Sequence, residues 1–169
     1  MKAILVTGAL MLAIAPPLAA QDKQTATADF IDRDGKGAGR AALTVAKEGV
    51  VIELEVSGLP ANKWLAFHVH ENGSCDAAGG FASAGAHFNS GKSEHGLLAA
   101  NGPHAGDMPN QYVASDGFLR GQLFETAVTL DGKDDGIRGR ALVIHAGSDD
   151  YRSQPSGGAG DRIACAIIK

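Results

Sequence analysis

Positive charge is in short supply in this chain: fifteen Lys and Arg residues stand against nineteen Asp and Glu, for a formal net charge of −4. A nucleic-acid-binding protein carries a basic surplus or stripe, so nucleic acid is excluded as a partner. Aromatics are scarce too, with one Trp, two Tyr and six Phe. No apolar run reaches the roughly 20 residues that a membrane-spanning helix needs. After the first twenty residues no 3.6-residue apolar period appears, which argues against a helical bundle. Cysteine is limited to two residues and histidine to six, and all eight fall between His68 and Cys165.

What is present begins with an export signal. Lys2 forms a short positive region, Ala3 to Ala15 an apolar stretch, and Pro16-Pro17 ends it. The small pair Ala19-Ala20 then precedes the polar Gln21-Asp22-Lys23. Residues 1–20 read as a cleavable signal peptide and residues 21–169 as one domain. Loss of Lys2 leaves a mature charge of −5. No cysteine adjoins the cleavage site, so no membrane anchor is expected, and the compact signal suits a bacterial periplasm. In that oxidising compartment Cys75 and Cys165 are expected to form a disulfide.

The mature chain reads as all-β. Ile52, Leu54 and Val56 alternate with Glu53, Glu55 and Ser57, the period of a strand with one wet face. Leu43 and Val45 precede them, joined through a tight connection at Lys47-Glu48-Gly49. Further strands are expected at Phe67–His70, Phe118–Phe124, Arg140–His145 and Ile163–Ile168. Glu71 to Asn110 and Ala146 to Asp161 are long Gly-, Ser- and Asn/Asp-rich stretches without strand pattern. Loops of that length in a compact domain usually carry function. The expected architecture is a Greek-key β-sandwich or flattened barrel of about eight antiparallel strands with two long site-forming loops.

The histidines supply the chemistry. His68 and His70 are strand-mates at i and i+2, so both imidazoles leave the same face. His145 ends another strand and can approach them. His87, His95 and His104 lie in the first long loop, with Asp107 three residues after His104. Three imidazoles and a carboxylate suit zinc, and four imidazoles in a flatter set suit copper(II). Composition and spacing leave open which metals bind and what reaction follows.

The segment Phe67-His68-Val69-His70-Glu71-Asn72-Gly73-Ser74-Cys75 resembles the copper–zinc superoxide dismutases of bacterial periplasms. So do Gly85-Ala86-His87-Phe88-Asn89, Glu94-His95-Gly96, Gly102-Pro103-His104-Ala105-Gly106-Asp107 and the end from Ile144 to Cys165. The resemblance covers essentially the whole mature chain. It implies copper on His68, His70, His87 and His145, and zinc on His87, His95, His104 and Asp107, one ion of each per subunit. His87 would bridge the metals as an imidazolate, and Asp149 would link a copper-bound to a zinc-bound histidine. Arg162 would attract the anion at the mouth, with Lys92 as the other candidate cation. The implied reaction is dismutation of superoxide to dioxygen and hydrogen peroxide, with His87 as the proton carrier, in a monomer or a homodimer.

Three departures stand out. Leu65-Ala66 replaces the family's usual His-Gly, Ser90 replaces a usual proline, and Gly91-Lys92-Ser93 redraws the approach to His95. The spacing from His87 to His95 is kept, so a softer zinc loop is expected rather than a lost site. A non-catalytic copper and zinc buffer would use the same ligands without needing Arg162. A zinc hydrolase fits poorly, because no nucleophile motif accompanies the histidines.

Overall fold

Alternating apolar and polar residues build a sheet whose inner face is sealed from water. The computed structural model describes residues 24–169, so the signal peptide expected at 1–20 lies outside them. The strands are β1 (Thr25–Asp32), β2 (Gly37–Ala46), β3 (Gly49–Val56), β4 (Lys63–Leu65), β5 (Phe67–His70), β6 (Gln111–Val113), β7 (Leu119–Glu125), β8 (Ala141–His145) and β9 (Arg162–Ile168). One 3-10 turn at Ala82–Ala84 is the only helical element among the described residues. Seven strands form a single antiparallel sheet in the order β5-β8-β9-β1-β2-β3-β7, and β4 pairs with β6. The chain crosses from β3 to β5, returns to β7, and crosses again to β8. These crossings give the Greek-key arrangement expected from the sequence, with nine strands among the described residues where about eight were expected.

Ile52, Leu54 and Val56 of β3 are buried while Glu53 and Glu55 face water. Phe30 of β1, Leu43 of β2, Leu119 of β7 and Leu142 of β8 share their core. Each such side chain contributes about 1.5–3 kcal/mol on burial. The β2–β3 hairpin pairs Ala46 with Gly49 around Lys47-Glu48. A Cβ on Gly49 would lie 2.1 Å from the Glu125 carbonyl oxygen, so the strand approach demands glycine.

β5 departs from the one-wet-face pattern, because all four of its residues are buried. Phe67 and Val69 enter the core. His68 and His70 point the other way, under the long loop of residues 71–110. That loop is stitched to β5 by bridges pairing His68 with Asp107 and His70 with His87. Val69 completes the seam: its N–H donates to Gly106 O and its carbonyl accepts from Phe88 N–H. A Cβ on Gly106 would come within 2.3 Å of Val69 O, so the seam closes only with glycine there.

Cys75 and Cys165 form a disulfide, with Cα atoms 5.7 Å apart and a sequence separation of 90. Closing a loop of that size removes about 4–5 kcal/mol of unfolded-chain entropy in the polymer picture. The bridge fastens the long loop to β9 inside a small cluster containing Phe81, Ala84 and Val143. Arg140 adds a second strap, its guanidinium 3.7 Å from the Phe88 ring centre and donating to the Glu71 carbonyl.

Two of the sequence departures leave their surroundings intact. Ala66 donates to Gly147 O and accepts from His145 N–H, so the backbone pairing beside the site survives the loss of the usual glycine. The segment around Ser90 is tied by the Asn89 side chain, which both donates to Ser93 O and accepts from Ser93 N–H.

Candidate metal centre

All six histidines meet at one end of the sheet. β5 supplies His68 and His70, the end of β8 supplies His145, and the 71–110 loop supplies His87, His95, His104 and Asp107. Two groups result, each with ligand atoms within 4.8 Å of one another: His68, His70, His87 and His145, and His87, His95, His104 and Asp107. His87 belongs to both. These are the two sets singled out in the sequence.

Hydrogen bonds to the outer nitrogens decide which atom of each ring faces inward. His70 Nδ1 donates to Gly85 O at 3.0 Å and His145 Nδ1 to Gly160 O at 3.2 Å. Their Nε2 atoms therefore present lone pairs, and these face each other at 3.4 Å. His68 Nε2 donates to Asp149 Oδ2 at 2.9 Å, which leaves Nδ1 as the inward lone pair. His68 Nδ1 and His87 Nε2 are buried with no hydrogen-bond partner. Buried nitrogen lone pairs converging without a proton between them are costly unless a cation fills the gap. The donor set fits a metal, and four imidazoles are the set copper(II) prefers.

The second group converges on one oxygen. The Nδ1 atoms of His87, His95 and His104 lie 2.8, 3.0 and 3.4 Å from Asp107 Oδ1. His104 Nδ1 has no hydrogen bond despite its proximity. Asp107 Oδ2 is occupied by the N–H groups of Gly96 and His104, so Oδ1 is aimed inward. Three nitrogens and one carboxylate oxygen are a donor set that suits a structural zinc.

Burial sets the protonation. It lowers His68 to about 4, His145 to about 3 and His70 to about 2, so all three are neutral ligands at pH 7. Burial lowers His104 as well. For Asp107 burial works in the opposite direction, but the His87 hydrogen bond and the Gly96 N–H outweigh it and hold the carboxylate ionised. Asp149 follows the same logic: burial opposes ionisation, and bonds from His68, Tyr151 N–H and His95 bring it to about 2.

Asp149, the carboxylate that the resemblance implied would link the two groups, is bonded to both His68 and His95. A Cβ on Gly157 would come within 1.8 Å of its Oδ1, so glycine makes room for the carboxylate. Asn110 fixes its backbone from both sides, donating to Asp149 O and accepting from Asp149 N–H.

The first histidine group opens onto a cavity of about 740 Å³, lined by His70, His87, His145, Asp161 and Arg162. The Arg162 guanidinium is pinned there, Nη1 donating to Phe81 O at 2.7 Å and Nη2 to Gly85 O at 2.6 Å. Lys92, the other candidate cation, does not line this cavity, but Arg33 does. No local pattern signals Arg33, since it lies in a hairpin turn remote from every motif. His95, His104 and Asp107 line no part of the cavity, so the first group is open to it and the second is closed off from it, with His104 half-buried.

The model of the copper/zinc superoxide dismutase family matches residues 37–168. Superoxide dismutase [Cu-Zn] 1 of Aquifex aeolicus is 49% identical over 146 residues, covering 84% of this chain and 86% of that protein. The Cu-Zn superoxide dismutase of Caulobacter vibrioides is 40% identical over 153 residues, covering 86% of each. The crystal structure of a superoxide-dismutase-like protein from Bacillus subtilis superposes with a TM-score of 0.79 at 34% identity, covering 83% of this chain and 95% of that one.

Proposed function

Because this chain belongs to the copper/zinc superoxide dismutase family and is a superoxide dismutase using copper and zinc, we propose that its two histidine groups divide the metals by their openness. His68, His70, His87 and His145 hold copper, and His87, His95, His104 and Asp107 hold zinc. The observation that carries this division is the double membership of His87, with Nδ1 in the closed group and Nε2 unpartnered in the open one.

Copper, when bound there, would supply a one-electron redox couple, and zinc would supply fixed charge without redox change. The protein's part is proton handling and geometry. Overall two superoxide anions and two protons give one dioxygen and one hydrogen peroxide. His87 Nε2 faces the open group, so it is the atom that takes up a proton and passes it to the nascent peroxide. Its other nitrogen stays tied to the zinc group, which returns the ring to the same place each turnover. Asp149 orients His68 and His95 from behind. Arg162 presents a fixed guanidinium to the incoming anion.

The export signal at residues 1–20 and the disulfide support a periplasmic location, where the mature protein begins at Gln21. Among the described residues no helix is long and apolar enough to cross a membrane. Metal analysis of the purified mature protein, paired with a direct dismutation assay, tests the reading. One copper and one zinc per chain with dismutation is the expected result. Stoichiometric metals without turnover would favour the non-catalytic buffer.

A further inference from the structure

We propose that Arg33 is a second cation for substrate capture, working beside Arg162 at the mouth of the open cavity. Arg33 belongs to the turn between β1 and β2, 129 residues from Arg162 in sequence, yet its Nη1 donates to the Arg162 carbonyl at 3.0 Å. It lines the same cavity as His70, His87, His145 and Arg162. The turn that carries it is held in shape. Asp32 Oδ1 accepts the N–H groups of Asp34 and Lys36, each at 2.9 Å, and Gly35 at φ +75° closes the reversal. Across the gap, a Cβ on Gly80 would lie 3.1 Å from Arg33 Nη2, so a glycine leaves the space beside the guanidinium.

The charge of this guanidinium is free to act. Arg33 is exposed, and among the described residues no carboxylate forms an ion pair with it. Among the described residues Asp161 is the only carboxylate lining the cavity, so the two arginines outnumber it. The rest of the protein is acidic, and an anionic substrate gains nothing from the net charge. Capture must come from a local field, which a pair of cations at a cleft mouth focuses better than one. Arg162, with both Nη atoms spent on carbonyl groups, is the fixed inner charge. Arg33, with one contact, is the outer one. This division rests on the dismutase reading of the cavity.

The test uses the copper- and zinc-loaded protein and its R33K, R33Q and R33E variants. Second-order dismutation rates are measured by pulse radiolysis from about 10 mM to about 0.3 M salt, a range over which the Debye length shrinks from about 30 Å to below 8 Å. Azide affinity, read from the copper absorption, reports anion capture without turnover. R33Q should lower the rate and the azide affinity about threefold and R33E about tenfold at low salt, with R33K close to wild type. The salt slope should flatten in R33Q and reverse in R33E. R33E with wild-type rate, azide affinity and salt slope would overturn the proposal. So would R33K as slow as R33Q with the wild-type slope, since Arg33 would then be a strut for the Arg162 backbone. A loaded wild type that does not dismute superoxide would strike the dismutase reading instead, and azide titration would still decide the role of Arg33.

Discussion

Asp149 joins His68 to His95: its Oδ2 accepts from His68 Nε2 at 2.9 Å and its Oδ1 from His95 Nε2 at 3.1 Å. One carboxylate thereby orients a ring from each histidine group, in parallel with the direct link through His87. Asp149→Asn keeps the shape but offers one acceptor where two are needed, so one ring loses its partner. Zinc affinity should fall about 10- to 100-fold, the usual cost of removing such a support. Competition titration with a chelator measures it. An unchanged affinity would mean that His95 is held by packing alone.

The shared histidine gives a contrast within one assay. His87→Ala removes a ligand from both groups and with it the proton carrier. His104→Ala removes a ligand from the closed group only. Each variant leaves three histidines in the open group or more, yet the first should lose far more activity than the second. The expected metal analysis differs as well, with both metals disturbed in His87→Ala and mainly zinc lost in His104→Ala. Equal activities in the two would remove His87 from its bridging role.

Much of this centre is legible in the sequence because its geometry is local. A strand puts His68 and His70 on one face by its period alone, and His145 closes an apolar run. β1 is less legible, since its buried residues are Ala26, Ala28 and Phe30, and alanine carries little strand signal. β4 and β6 have three residues each, too short for a period to show. Arg33 escapes for another reason. Its role depends on β1 and β9 lying side by side, with Asp32 paired to Ala164, which no local pattern announces.

Buried neutral imidazoles make the metal-free protein acid-sensitive. His68, His145 and His70 are lowered from 6.5 to about 4, about 3 and about 2. The unfolded chain takes up their protons near pH 6.5 while the folded chain refuses them until far lower pH. Stability is therefore lost as pH falls from about 6.5 towards 4, by about 1 kcal/mol per pH unit for each imidazole. Asp149, lowered to about 2, acts in the same direction at the acid end, because its contribution fades as pH falls through that value. Urea unfolding of chelator-treated protein should show a lower midpoint at pH 5 than at pH 7. Equal midpoints would contradict the burial argument.

Arg162 should dominate the steering because its guanidinium is both fixed and inside the cavity. At about 6 Å from an anion, in an effective dielectric near 40, a unit charge contributes roughly 1.4 kcal/mol of attraction. Arg162→Ala should then lower the second-order rate about tenfold with both metals retained. Arg162→Glu should cost more, since repulsion replaces attraction at the same place. Removing the side chain also takes one donor from the carbonyl groups of Phe81 and Gly85, the second of which still holds His70, so metal content must be measured beside the rate. Salt separates the two effects. Screening should slow the wild type, slow Arg162→Ala less, and speed Arg162→Glu. A rate loss with the wild-type salt slope would show that Arg162 acts by holding the loop at Phe81 and Gly85, and that its charge does not steer.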